Sequence, residues 1–317
     1  MIQNEPQPNL EIFAQTVLEC ALKDKNIFVI TSDSRGSGKL VPFGEQLPDQ
    51  LIEVGIAEQN LVGVAAGMAS TGKKVFAVSP ASFLTTRALE HIKNDVAYSD
   101  HPVTLVGISA GVSYGALGST HHSLHDLAAL RAVNNVDIVI PADNAETREA
   151  IRAAVDYPSP LYIRFGKRRI EHLYKDHAPF QIGKANLLKQ GRDIAFIATG
   201  ETVIQAVHAA EKLKQHGMSA RVVSMHTIRP LDEKTVLSAG NECRAVITVE
   251  EHSVHGGLGE ACAGILMQNN VSVPFHIAGI ADEYTVTGPQ LDIFSYYGLT
   301  ADKLFEKAVQ LLNPQKG

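Results

Sequence analysis

The chain has 317 residues, of which 45% are hydrophobic and 20% charged, and its net charge is −6. At about 150 residues per domain that length suits two domains with cores of their own, and the balance excludes intrinsic disorder and a fibrous architecture. A membrane span needs about 18 consecutive apolar residues, far more than a stretch such as Val103–Val112 offers.

The first residues, MIQNEPQPNLEIF, have neither the basic start nor the apolar block of a signal peptide. No basic cluster is longer than Lys167-Arg168-Arg169, which makes nucleic acid a poor partner for an acidic chain. Cys20, Cys243 and Cys262 are widely spaced in apolar surroundings, as suits reduced core thiols in a cytoplasm. There is no CxxC pair to suggest a thiolate metal site.

Taken in order, apolar β-branched runs alternate with helical stretches. A helix over Leu10–Lys23 leads to a strand at Ile27–Thr31, and a helix over Glu58–Ser70 to a strand at Val75–Val78. A helix over Arg87–Tyr98 precedes strands at Val103–Ile108 and Asp137–Ile140; a helix over Ala145–Tyr157 precedes Leu161–Arg164. Residues 166–192 are rich in charge and glycine and carry Pro179, which marks a domain boundary. Beyond it the spacing predicts strands at Ile194–Thr199, Arg221–Ser224, Ala245–Val249 and Phe275–Ile280. Helices Thr202–His216, Gly259–Asn269 and Ala301–Leu312 lie between and after them. The runs are continuous rather than alternating, as in strands covered on both faces, and the alternation requires right-handed parallel crossovers. The fold class is therefore α/β, with domains at 1–175 and 190–317, each a mainly parallel sheet flanked by helices. Ligands of such sheets sit beyond the carboxyl ends of the strands, so chemistry is sought after Thr31, Val78, Ile108 and Ile140.

Glu58, in GIAEQN, stands where an extended segment gives way to the Gly- and Ala-rich helix LVGVAAGMAS. An acid there gains about 0.3–1 kcal/mol from the helix dipole; alternatively it is a buried carboxylate held for acid–base work. His121 and His125 in HHSLH are spaced to share a helix face. They lack the Glu of HExxH and a third ligand, so capping or catalytic histidines fit better than zinc. Gly67–Lys74 mimics a phosphate loop but ends in Lys and runs from helix to strand, the reverse of the required order. RGSGK at 35–39 is too short, and GGLG at 256–259 is an isolated helix start.

Five strings stand in order: GIAEQN at 55–60, SFLTTRA at 82–88, GSTHHSLHDLAALR at 118–131 with DIVIPAD at 137–143, IATGETV at 197–203 and VEEHSVHGGLGEA at 249–261. Together they span nearly the whole chain and resemble the C-terminal half of the thiamine-diphosphate-dependent transketolase family. That half is a pyrimidine-binding domain followed by the family's C-terminal domain.

The resemblance implies a site. Glu58 matches the acid that bonds the pyrimidine nitrogen opposite the amino group, favouring the imino tautomer that takes the thiazolium proton; an apolar pocket protects that bond from water. Phe83 matches the aromatic that stacks on the aminopyrimidine, although core packing alone would also suit it. Asp33 matches an aspartate near the cofactor, or forms an Asx turn. His121 matches the histidine that bonds substrate oxygens beside the reactive carbon and can relay a proton. Arg164 matches an arginine that grips the sugar phosphate, or is a strand-end surface charge. Ser37 is a further substrate contact. Glu250, Glu251 and His255 are read as structural or interface residues.

Some positions depart from the family pattern. Leu117 stands where an aspartate usually reads an acceptor hydroxyl, Ser109 where a histidine contacts phosphate, and Ser119 where proline is common. The lost hydrogen bonds alter discrimination, so an unusual aldose or a branched or modified ketose is expected. The family holds Mg²⁺ and the diphosphate through a GDG…NN motif in an N-terminal domain. No GDG occurs here, and Asn134-Asn135 and Asn269-Asn270 read as loop residues. The resemblance thus implies one subunit of a split transketolase, with Mg²⁺ and the diphosphate held by a partner subunit and self-association through the dimer core. The implied reaction moves a two-carbon ketol unit between sugars, in a cytoplasmic enzyme. Competing readings are a beta subunit of a 2-oxo-acid dehydrogenase, a 1-deoxyxylulose-5-phosphate synthase-like enzyme, and a non-catalytic partner-binding module. GSTHHS and Arg164 favour sugar phosphates.

Overall fold

The computed structural model describes residues 5–174 and 177–313; the expected domain limits at 1, 175 and 317 lie outside them. Six strands occupy the first half: β1 (Ile27–Thr31), β2 (Leu51–Glu53), β3 (Lys74–Pro80), β4 (Val103–Ile108), β5 (Asp137–Val139) and β6 (Leu161–Arg164). The second half adds β7 (Asn186–Lys189), β8 (Ile194–Ala198), β9 (Ala220–Ser224), β10 (Thr227–Arg229), β11 (Val246–Ser253) and β12 (Phe275–Ile280). They form a seven-stranded sheet, β10-β5-β6-β4-β3-β1-β2, and a five-stranded sheet, β12-β11-β8-β9-β7. Pairing is parallel except at β10–β5 and β7–β9.

The central strands form for the reason their composition suggests: every residue of β4, β6, β8 and β9 is buried, because helices cover both faces. Helices Asn9–Ala21 and Asn144–Val155 bury Phe13, Val17, Ala150 and Ile151 on one face of the larger sheet. Asp143 starts the second of these by accepting the Glu146 amide at 2.9 Å. Helix Glu58–Ala69 buries Leu61, Val62 and Ala65 on the opposite face, in an apolar cluster that also takes in Ala195, Val223 and Leu258 of the second half. One core is therefore shared between the two sheets.

Three short strands escape the sequence pattern. β2, β7 and β10 have three or four residues each, and only their partners define them. β10 belongs to the second half yet completes the edge of the first sheet against β5, so the two halves are knitted together and not merely joined. The helix expected over Arg87–Tyr98 is divided. A helix Ala81–Arg87 springs directly from β3, a short turn Leu89–His91 follows, and a π-helical segment covers Ile92–Tyr98. That early helix is what aims Phe83 and Arg87 at the strand ends.

Candidate active site

Glu58 follows β2, Phe83 and Arg87 follow β3, Tyr114 and His121 follow β4, and Lys167 follows β6. The segments after four parallel strands thus deliver side chains to the carboxyl edge of one sheet, the place such sheets offer a ligand. Glu58 is the first residue of its helix and only 3% exposed. Its carboxylate accepts from Arg87 Nη1 at 3.2 Å (Oε1) and 3.1 Å (Oε2). Arg87 and Phe83 are four residues apart on one helical turn and so share a face; the guanidinium carbon lies 4.4 Å from the Phe83 ring centroid. The edge of that ring meets His121 at 5.3 Å between centroids, and Tyr114 flanks the same imidazole at 5.2 Å. Thr120 Oγ1 bonds His121 Nδ1 at 2.9 Å. Lys167 Nζ lies 4.0 Å from the Tyr114 centroid. Partial burial and the neighbouring Lys39 charge draw its pKa below the ordinary lysine value.

The structure therefore brings Glu58, Phe83 and His121 into one line of contacts. Arg87 links Glu58 to Phe83, and Tyr114 extends the line from His121 to Lys167, roles that the sequence leaves unassigned although Arg87 lies within SFLTTRA. Asp33 and Ser37 sit on the loop after β1 and share no hydrogen bond, ion pair or ring contact with that line among the described residues. Asp33 has a left-handed backbone (φ 52°), and its amide donates to Glu53 Oε1 at 2.6 Å. Ser37 Oγ donates to the Ser34 carbonyl at 3.2 Å. Leu117 is exposed at the rim, whereas Ser109 is fully buried. His121 and His125 do not share a helix face, because the helix starts only at Asp126.

Arg164 is not the strand-end surface charge of its alternative reading: only 4% exposed, it donates to both carboxylate oxygens of Asp126 at 2.8 and 3.0 Å and to the Glu251 carbonyl at 2.7 Å. The Tyr162 hydroxyl donates to Asp126 at 2.7 Å, and His252 Nε2 lies 3.8 Å from it. Burial opposes ionisation of Asp126, but Arg164, His252 and Tyr162 outweigh it and hold its pKa below the ordinary value. Arg164 thus joins β6 to the second domain, and Lys167, three residues further on, lies over the Tyr114 ring.

Glu250 and Glu251 lie in the same seam. Glu250 accepts the amides of Leu258 and Gly259 at 2.7 and 2.8 Å and so caps the helix Leu258–Gln268. Glu251 accepts the Val112 amide and Gln290 Nε2, both at 2.8 Å; Gln290 also reaches Glu201 at 3.3 Å. His255 is exposed, with Glu260 at 3.4 Å. Burial raises Glu250 to about 7. Burial also raises Glu201, reinforced by the adjacent Glu251, and burial raises Glu251 itself.

A pH dependence follows. Groups whose pKa rises on folding give stability that is full below the ordinary value of 4.5 and is lost as pH climbs through the raised one. His226 and His252, held down to about 4 by burial, act oppositely, and their stability is lost from 6.5 downward. His122 and His276 are lowered as well, so the histidines oppose the glutamates until roughly pH 7.5, where their unfolded forms have lost nearly all their protons. Urea unfolding is expected to show stability falling from about pH 7.5 to about 8.5 by up to about 1.4 kcal/mol per pH unit for each retained proton. Glu201→Gln should flatten that fall; an unchanged slope would show that Glu201 holds no proton there.

Two family models match the chain: the transketolase pyrimidine-binding domain over residues 7–171 and the transketolase C-terminal domain over residues 183–304. The fold is thus that of a transketolase pyrimidine-binding domain joined to its C-terminal domain. The chain belongs to the transketolase family and is a transketolase-type transferase chain. It is 45% identical over 301 residues to an apulose-4-phosphate transketolase subunit of Phocaeicola vulgatus, with 95% of this chain and 96% of that one covered. A 6-deoxy-6-sulfo-D-fructose transketolase subunit of Clostridium sp. is 34% identical, with 94% and 92% covered. A solved structure described as a split gene transketolase, an inactive beta4 tetramer, superposes with a TM-score of 0.87 at 32% identity over 97% of this chain and 98% of that one. By contrast, a 1-deoxy-D-xylulose-5-phosphate synthase of Halothermothrix orenii, 35% identical, is matched over only 48% of its length.

Proposed function

We propose that this chain supplies the pyrimidine-binding half of a thiamine-diphosphate-dependent transketolase site, with the diphosphate and Mg²⁺ held mainly by a partner subunit. When present there, the cofactor supplies a carbon nucleophile and an electron sink for cleaving and rebuilding a C–C bond of a sugar. The observation that carries this reading is the Arg87 guanidinium. It is a flat, nitrogen-bearing group bonded to Glu58 and stacked on Phe83, the two contacts an aminopyrimidine ring needs. Arg87 is 46% exposed whereas Glu58 is buried, so the arginine can yield its place while the carboxylate stays fixed.

In this role Glu58 holds a ring nitrogen and Phe83 the ring face. His121, fixed between two aromatic rings, donates to or relays a proton from substrate oxygens. Lys167 suits an anionic tail on the sugar, a feature common to the phosphate and sulfonate sugars for which the two relatives are named. Asp33 and Ser37 belong to a loop on the same sheet edge, open to the cofactor or substrate. The naming of those relatives as subunits, and the split gene structure, support a two-chain enzyme that self-associates. Among the described residues no helix is long and apolar enough to cross a membrane, and the three free cysteines suit work in the cytoplasm.

The test is reconstitution. Thiamine diphosphate binding and two-carbon ketol transfer are expected from this chain mixed with its diphosphate-binding partner and from neither alone. Turnover by the lone chain would overturn the two-chain reading. A screen of phosphorylated and branched donors and acceptors with the pair then identifies the sugars.

A further inference from the structure

The loop that carries His121 is gripped from the other domain. Three hydrogen bonds meet at Thr285, His122 and Ser119, and their directions follow from donor chemistry. His122 Nε2 lies 3.1 Å from the Gly115 carbonyl, which can only accept, so Nε2 carries the proton. In the neutral ring Nδ1 is then an acceptor, and Thr285 Oγ1, at 2.8 Å, donates to it. With its one proton committed, Thr285 accepts from Ser119 Oγ at 3.0 Å. Burial lowers the His122 pKa and keeps the ring in the neutral form this chain of bonds requires.

The packing is equally specific. Gly115 and Gly118 have left-handed backbones (φ 53° and 68°). A Cβ at Gly118 would stand 2.8 Å from the Thr287 methyl, and one at Gly115 would stand 2.7 Å from the Gly288 carbonyl. The segment 285–288 therefore lies directly on the turn that leads into His121. Its far end is anchored where Gln290 bonds Glu251, which also accepts the Val112 amide at the start of the same loop.

We propose that Thr285, in the C-terminal domain, is a positioning residue for His121: through Ser119 and His122 it fixes the loop that holds the His121 imidazole between Phe83 and Tyr114. The C-terminal domain thereby completes the site as well as packing against it. This rests on the role given to His121 above. In the reconstituted pair, Thr285→Val keeps the volume but removes the hydroxyl. It is expected to lower kcat by about 10- to 100-fold while the KM for the ketose moves less than about threefold, because His121 is misplaced and not removed. Thr285→Ser restores the hydroxyl and should recover most of the loss. A readout independent of turnover is ¹⁵N-histidine NMR of the chain, where the His122 Nδ1 resonance should shift in the Val variant and remain in the Ser variant. Wild-type kcat in Thr285→Val, a Ser variant as impaired as Val, or an unmoved His122 resonance would each overturn the proposal. His121→Ala separates the two ideas. If that variant is impaired while Thr285→Val is not, the clamp alone fails; if it turns over like wild type, the role of His121 fails first.

Discussion

Glu58→Gln, in the reconstituted two-chain enzyme, is expected to lower kcat by about 10²–10⁴-fold while leaving the fold and melting temperature nearly intact. Glutamine fills the same space at the start of the helix Glu58–Ala69 but carries no acidic proton to share with a ring nitrogen. The variant loses the ion pair with Arg87, whose side chain is 46% exposed. Because pairs open to water on one side contribute little, the stability cost is about 1 kcal/mol or less. Steady-state turnover and thermal unfolding measured on the same preparation check both halves of the expectation. Undiminished turnover would remove Glu58 from the chemistry.

The second large effect is structural. Arg164→Ala leaves Asp126 fully buried without its guanidinium partner and strips a hydrogen bond from the Glu251 carbonyl. Breaking a buried ion pair from one side costs about 3–5 kcal/mol, and urea unfolding should show a loss of that size. The phosphate role that the resemblance implied makes the opposite forecast, an unchanged stability with a raised KM for phosphorylated sugars only. Unfolding curves and substrate kinetics on this one variant therefore decide between the two readings of Arg164.

How legible the molecule is depends on where each signal resides. Strands such as Val103–Ile108 and Leu161–Arg164 are readable because burial on both faces forces an unbroken apolar run. β2 and β10 are not, since three residues acquire strand geometry only from a partner, and the partner of β10 lies some ninety residues upstream. Glu58, Phe83 and His121 stand out through their strings, but the contacts between them depend on the helix Ala81–Arg87. Its threonines and its start on a proline hide it from helical periodicity. The pairing of Arg164 is hidden for a related reason: Asp126 comes from another element, and nothing in the strand Leu161–Arg164 announces it. Lys167 is visible in the sequence only as the first member of a basic triplet, and nothing in the triplet indicates which member turns toward Tyr114.

In the proposed function the Glu58 carboxyl meets the cofactor ring on the face of Phe83. The most direct test of this contact is a crystal structure of this chain with its partner subunit and thiamine diphosphate. A Glu58 oxygen is expected within about 3 Å of a pyrimidine nitrogen, with the ring on Phe83 and Arg87 moved aside. A bound cofactor lying elsewhere, with Glu58 still paired to Arg87, would contradict it.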